Sequence, residues 1–288
     1  MVYIEKACAK LNLFLEVTGK RADGYHDLST VMVPVGLYDV LQVDVKAAER
    51  TDVSVTCGLD IPKEDNLVYR ACMKYLERTG LAACVRIGLD KHIPTGAGLG
   101  GGSADAAAVL RVLDRHFGRP LSREDLFRLG TSLGADVPFC LQEETCLCRG
   151  IGEILTPVEN RFDGYYLIAK GDASIGTADA YRRLDEQAGT IRLRSEAPVL
   201  DWLKQPFSEG PELFNRFEAF ATEGHPEIAE MQEEMRECGA LATLMTGSGA
   251  AVFGMFASKE PAEACRVRLS GRGYRWDPVV VRTARFTL

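Results

Sequence analysis

Pro94-Thr-Gly-Ala-Gly-Leu-Gly-Gly-Gly-Ser-Ala-Asp-Ala-Ala107 decides how this chain is read. Five glycines (Gly96, Gly98, Gly100, Gly101 and Gly102) fall within seven positions. Each loses more backbone entropy on folding than any other residue would, so a packed strand or helix gains nothing from them. The run reads as a loop whose amides must come close to something. Ala104, Ala106, Ala107, Ala108, Val109, Leu110, Val112 and Leu113 follow with the composition of a buried helix. A glycine loop feeding a helix N-terminus offers free N–H donors at the positive end of the dipole, a setting that suits phosphate.

Several phosphate loops can be separated by their neighbours. Walker A requires a lysine after the glycines, and none follows. Gly96, Gly98 and Gly101 fit the spacing G-x-G-x-x-G, but the acidic residue a dinucleotide fold needs on a second strand would be Asp114, inside the helical pattern. The H-R-D and D-F-G of protein kinases are missing. A plain linker would have polar flanks, whereas these flanks are an apolar strand (Val85, Ile87, Leu89) and an alanine-rich helix.

Working outward, residues 3–17 alternate as a strand, with Lys10 and Asn12 on one face and Leu11, Leu13 and Leu15 on the other. A lysine beside an asparagine there fits a solvent edge as well as a site. Arg21-Ala-Asp-Gly24 is a turn, followed by Tyr25 and His26. Strands are expected at 28–35, 40–45, 52–57 and 84–93. Asn66 caps a helix, and Ser122-Arg-Glu-Asp125 opens another. At Gly134-Ala-Asp136-Val137-Pro138 the glycine stops the helix, Pro138 is expected to hold Val137 extended, and Asp136 stands at the corner. A strand pair is expected within 140–158, and Asn160–Gly164 reads as a connection, giving domains 1–160 and 161–288. The second half alternates strand (165–169), helix (177–185), helices across 196–238, strand-turn-strand (241–256), helix (261–269) and strand (279–286). That order fits a split βαβ, ferredoxin-like layout. Thr246-Gly-Ser-Gly249 reads as a hairpin turn or as a second glycine site.

The 288 residues suit two domains. With 46% apolar and 26% charged residues, the composition is that of a soluble globular enzyme. A net charge of −7 argues against a nucleic-acid partner without excluding an anionic ligand at a local loop. The nine cysteines lack C-x-x-C spacing and read as reduced thiols. The four histidines are scattered, with no metal pattern. Neither a signal peptide nor a membrane span is legible, so a cytoplasmic protein, or an organellar one with any transit peptide already removed, is expected.

The glycine stretch resembles the second motif of the GHMP kinases, small-molecule kinases named for galactose, homoserine, mevalonate and phosphomevalonate. The Lys10–Asn12 strand, the Asp136 corner and the 246–249 turn fall in that family's order along nearly the whole chain. The resemblance implies an α+β, two-domain GHMP kinase fold, with an N-terminal ribosomal-protein-S5-like domain and a C-terminal ferredoxin-like domain. Ala9-Lys10-Leu-Asn12-Leu-Phe-Leu, Arg21-Ala-Asp-Gly-Tyr25-His26, Gly100-Gly-Gly-Ser103 and Leu133-Gly-Ala-Asp136-Val-Pro138 look like one branch, which phosphorylates a hydroxyl of a cytidine diphosphate derivative on a route to isoprenoids. Mevalonate- and homoserine-type kinases, and a non-catalytic protein on the same fold, are the alternatives.

By the resemblance, Lys10 and Asp136 are the catalytic pair. Pro94, Thr95, Gly96, Ala97, Gly98, Leu99, Gly100, Gly101, Gly102, Ser103 and Ala104 hold the ATP phosphates, with Asn66 and Lys91 near the adenine. Tyr25 and His26 bind the cytosine, Tyr181 covers its other face, and Asn12, Ile151, Thr177, Gly247, Ser248 and Gly249 contact substrate. The cofactors implied are ATP and Mg²⁺, the latter with no obvious carboxylate ligand. A small-molecule substrate and a monomer or homodimer are implied, with neither nucleic acid nor membrane as partner. An ammonium near Asp136 would keep it ionised beside a substrate hydroxyl, which fits phosphoryl transfer by positioning and charge stabilisation.

Overall fold

A computed structural model describes residues 1–58, 61–186, 192–205 and 209–284. They form two compact units, the first from Met1–Ala9, Leu37–Ile93 and Gly100–Glu143, the second from Lys10–Gly36, Pro94–Leu99 and Glu144–Leu288. Two long strands, β1 (Val2–Lys20) and β2 (His26–Ala47), contribute residues to both.

The first unit adds β3 (Asp52–Cys57), α1 (Leu67–Thr79), β4 (Ala83–Asp90), α2 (Gly101–His116), α3 (Arg123–Thr131) and α4 (Val137–Gln142). The C-terminal half of β2 runs antiparallel to β4, from Val40 opposite Asp90 to Ala47 opposite Ala83, and β3 lies parallel on the other side of β4. Ala83, Val85, Ile87 and Leu89 of β4 are buried in alternation with more exposed residues, the period of a one-faced strand. α2 is buried on nearly every side, because its alanines let neighbours approach closely. α1 packs on α2 with Val68, Ala71, Cys72, Tyr75 and Leu76. Each buried Val or Leu there contributes about 1.5–3 kcal/mol, and the Tyr75 hydroxyl is satisfied by Asp114 at 3.2 Å.

Both expected caps form. Asn66 Oδ1 accepts from Val68 N at 2.9 Å, and the Ser122 hydroxyl accepts from Asp125 N at 3.1 Å. One expectation fails nearby. Val137 is not extended but opens α4. Pro138 occupies the first turn of that helix, where its missing N–H has no intrahelical partner to lose.

The second unit contains β5 (Cys146–Arg149), β6 (Ile154–Pro157), β7 (Tyr165–Lys170), α5 (Thr177–Glu186), α6 (Ala197–Leu203), β8 (Phe214–Asn215), α7 (Glu218–Gly224), α8 (Pro226–Glu237), β9 (Ala242–Met245), β10 (Ala251–Phe256), α9 (Lys259–Ser270) and β11 (Val279–Val281). Four of its strands make an antiparallel sheet in the order β11-β7-β10-β9. Helices α8 and α9 pack on this sheet through Ile228, Met231, Met235, Cys265 and Leu269, which meet Leu167, Ala169 and Val252. The N-terminal half of β2 pairs with β5, β5 pairs with β6, and β1 pairs with the two-residue β8. The last expected strand, 279–286, is seen as β11, and its residues 285–286 lie outside the described ones. None of the nine cysteines forms a disulfide, and burial pushes the Cys8 thiol up to about 12.

Candidate active site

The glycine loop owes its shape to alternate glycines. Gly96, Gly98 and Gly100 have φ of 61°, 76° and 71°, the left-handed region that side chains resist. The intervening Ala97 and Leu99 are buried. Gly100 is the N-cap of α2, no side chain caps that terminus, and its first turn carries no acidic residue. The first-turn amides are therefore left to an anion.

Within the first unit, several predicted residues gather around this helix start. A Cβ on Gly101 would stand 3.2 Å from Lys91 Nζ, and one on Gly102 would stand 3.5 Å from Leu67, the residue after Asn66. A Cβ on Gly134 would stand 3.8 Å from Ser103 Oγ, which sets the Ser103 hydroxyl beside the 134–136 corner. Asp136 itself is the N-cap residue of α4.

Lys91 sits in an acidic setting that sequence reasoning missed. Its ammonium bonds to Asp39 and, at 2.7 Å, to Asp105. Asp39 is fully buried, and its other oxygen accepts from the backbone N–H of His92 (2.6 Å) and Ile93 (2.8 Å). Asp105 Oδ1 is buried with no hydrogen-bond partner. Burial raises the Asp105 carboxyl, Lys91 opposes the rise, and Asp39 adds to it. For Lys91 burial acts to lower the ammonium, and the two carboxylates outweigh it, so it stays above its ordinary range.

In the second unit, Lys10 and Asn12 are 4% and 2% exposed, which excludes the solvent-edge reading. Lys10 Nζ donates to Asn12 Oδ1 at 2.6 Å. The same oxygen accepts from Gly247 N at 3.0 Å and from Thr246 Oγ1 at 3.2 Å, while Asn12 Nδ2 donates to Thr30 Oγ1 at 2.8 Å. Asn12 thus ties the lysine to the turn between β9 and β10. Asn215 of β8 holds the turn from its other side, donating to the carbonyls of Met245 (2.7 Å) and Gly247 (2.8 Å). The glycine loop meets this turn backbone to backbone. A Cβ on Gly98 would fall 2.1 Å from the Thr246 carbonyl oxygen, and one on Gly247 would fall 2.8 Å from Gly98 Cα.

The expected cytosine-binding residues also lie in the second unit. The 21–25 turn closes through Arg21 N to Tyr25 O (2.8 Å) and Tyr25 N to Asp23 Oδ1 (3.1 Å), leaving the Tyr25 side chain exposed. His26 is buried; Tyr181 stacks on its imidazole at 4.7 Å between centroids and meets Phe217 edge-on at 5.0 Å. His26 Nε2 lies 2.8 Å from Asp185 Oδ1, and Lys20 Nζ lies 2.6 Å from Asp185 Oδ2. Hydrogen bonds from Lys20 and then His26 hold the Asp185 carboxyl below its usual range. Thr177 Oγ1 and Ser248 Oγ are 3.0 Å apart, and Ile151 N donates to Glu153 Oε2 at 2.7 Å. An open, shallow cleft lies beside Ser174, Gly176, Phe217 and Ser248. Asp39, Asp105, Asp185 and Asn215 escaped sequence reasoning. Each lacks a recognised motif role, and only long-range contacts reveal it.

This chain resembles known proteins along its whole length. The GHMP kinases N terminal domain matches residues 66–144, and the GHMP kinases C terminal matches 197–275. A 4-diphosphocytidyl-2-C-methyl-D-erythritol kinase of Caldicellulosiruptor saccharolyticus is 41% identical over 268 residues, 92% of each chain. One of Alkaliphilus metalliredigens is 38% identical over 271 residues, 92% of this chain and 91% of that one. A crystal structure of a 4-(cytidine 5'-diphospho)-2C-methyl-D-erythritol kinase superposes with a TM-score of 0.81 at 32% identity, over 99% of this chain and 100% of that one. The homoserine kinase of Cytophaga hutchinsonii shares the fold, with a TM-score of 0.71 at 18% identity over 98% and 95% of the two chains. The chain belongs to the GHMP kinase family and, within it, to the branch formed by these 4-diphosphocytidyl-2-C-methyl-D-erythritol kinases.

Proposed function

We propose that the protein transfers the γ-phosphoryl group of ATP to the 2-hydroxyl of 4-diphosphocytidyl-2-C-methyl-D-erythritol, a step of the methylerythritol phosphate route to isoprenoids. The relatives' activity supports the substrate. The observation that carries the chemistry is the buried Lys10 ammonium, fixed by Asn12 on the 246–249 turn. A cation fixed in a buried place beside a transferred phosphoryl group is suited to offset the charge that develops there.

In this reading Asp136 accepts the proton of the attacking hydroxyl, and Lys10 offsets charge that develops on the transferred group. The first-turn amides of α2, with Ser103, hold the phosphates of ATP. Asn66 and Lys91 flank the nucleotide, Lys91 already being ion-paired. Tyr25 stacks on the cytosine, His26 reads its polar edge, and Thr177 and Ser248 line the substrate's path. Among the described residues no group of three or more His, Cys, Asp or Glu is arranged to hold a metal. Mg²⁺ would accordingly ride on the ATP phosphates, with Ser103 as its protein ligand; when bound, it neutralises phosphate charge. No helix among the described residues is long and apolar enough to cross a membrane. A cytoplasmic monomer or homodimer, with the domain division near residue 160, completes the reading.

A coupled ADP-release assay tests it, with Mg²⁺, ATP and 4-diphosphocytidyl-2-C-methyl-D-erythritol run beside mevalonate and homoserine. Turnover with the cytidyl compound alone is the expected result. Turnover only with another acceptor would keep the kinase chemistry and discard the substrate.

A further inference from the structure

His26 is held at two places. Its face lies on Tyr181, and its Nε2 edge lies on Asp185. An ionised carboxylate only accepts hydrogen bonds, so Nε2 must carry the proton that Asp185 receives. Lys20, on the other carboxylate oxygen, keeps Asp185 ionised and oriented. Nδ1 makes no hydrogen bond with any described residue. In the neutral ring with Nε2 protonated, Nδ1 is a bare acceptor.

We propose that Asp185 is a positioning residue for base recognition: by accepting a hydrogen bond from the Nε2–H of His26 it holds the ring with Nδ1 as a fixed acceptor, which favours a pyrimidine with an exocyclic amine at position 4 over one with a carbonyl there. This rests on the cytidyl reading above and adds how one base is told from another. A cytosine amine donates to Nδ1, whereas a uracil oxygen at the same place meets it acceptor to acceptor. A polar site built around a hydrogen bond rejects the analogue that leaves it unmade far better than an apolar pocket does. The arrangement resembles the support of a catalytic histidine by a carboxylate, here used for reading rather than for proton transfer.

The test titrates CMP and UMP into the wild-type protein and into Asp185→Asn, alongside steady-state kinetics. Wild type should prefer CMP by roughly tenfold or more, and the variant should reduce that preference to about threefold or less by losing CMP affinity. The KM for the cytidyl substrate should rise about tenfold, with kcat changed less than about threefold and the KM for ATP unmoved. A preserved CMP preference in folded Asp185→Asn would overturn the role of Asp185 while leaving the cytidyl reading standing. Absence of any CMP preference in the wild type would instead remove that reading. Independently of any variant, ¹⁵N NMR of the wild-type His26 ring should show Nε2 protonated and Nδ1 bare. A ring protonated at Nδ1 alone would overturn the proposal even if Asp185→Asn failed to fold.

Discussion

The Lys10 ammonium donates to Asn12 Oδ1 at 2.6 Å, two positions along the same strand face, and that oxygen also accepts from Gly247 N and Thr246 Oγ1. One side-chain oxygen thereby fixes the cation and the glycine turn together. Replacing Asn12 by alanine strips three donors of their acceptor in a buried place. We expect Asn12→Ala to lose about 2–4 kcal/mol of stability by denaturant titration. Turnover should fall by at least about tenfold in the ADP-release assay, since Lys10 loses the anchor that Asn12 gives it. A loss of stability with full turnover would show that Lys10 needs no anchor.

The loop glycines should differ sharply in tolerance. Gly98 combines φ of 76° with a Cβ position 2.1 Å from the Thr246 carbonyl, a backbone atom that cannot step aside. Gly102 is helical, and its Cβ would make ordinary contact with Leu67 at 3.5 Å. Gly98→Ala should cost about 3 kcal/mol and lower Tm clearly. Gly102→Ala should keep or slightly raise Tm, because alanine is the better helix former by about 1 kcal/mol. Equal melting temperatures would refute the backbone contact.

The Lys91–Asp39–Asp105 cluster gives stability a pH dependence. Burial, helped by Asp39 and opposed by Lys91, pushes the Asp105 carboxyl up to about 7 from 3.8. The native state then holds a proton that the unfolded chain releases, so the unfolded state binds fewer protons between those values. Stability from this group is fully present below 3.8 and is lost as pH rises through about 7. Carboxylates held low, such as Asp185, act oppositely and only in more acid solution. Urea midpoints measured from pH 5 to 8 should therefore fall less steeply in Asp105→Asn than in wild type. An unchanged slope would mean Asp105 is ionised throughout.

Asp136→Asn keeps the size of the side chain and removes its ability to accept a proton. Turnover should drop by about 10²–10⁴, the usual contribution of a general base, while equilibrium binding of ATP changes little. Unchanged turnover would remove Asp136 from the chemistry.

Much of this was legible locally. The Asn66 and Ser122 caps, the glycine loop and the 246–249 turn each announce themselves within a few residues, because capping and turn chemistry are short-range. The sequence also marks Lys10 and Asn12 but leaves a solvent edge open; their burial depends on Thr246, 234 residues away from Asn12. β2 reads as two strands, 28–35 and 40–45, yet it is continuous through Pro34-Val-Gly36. That stretch finds its partners at Arg282, Thr283 and Ala284, and no local pattern could supply them. The expectation for Val137 fails because the rule for the residue before a proline is weaker than the tolerance of proline in a first helical turn. β8, only two residues long, is too short for any periodicity to show, yet its Asn215 holds the glycine turn.

The bond from Asn12 to Thr246 also orders events during synthesis. Asn12 leaves the ribosome 234 residues before its partner. The nascent chain therefore carries Lys10 without its complete setting until the 246–249 turn has been made. Closing so long a loop is a late and slow event in folding. A nascent chain stalled before residue 246 lacks the turn that Asn12 grips. Lys10, near the centre of β1, is tied through Asn12 to a turn made more than 230 residues later.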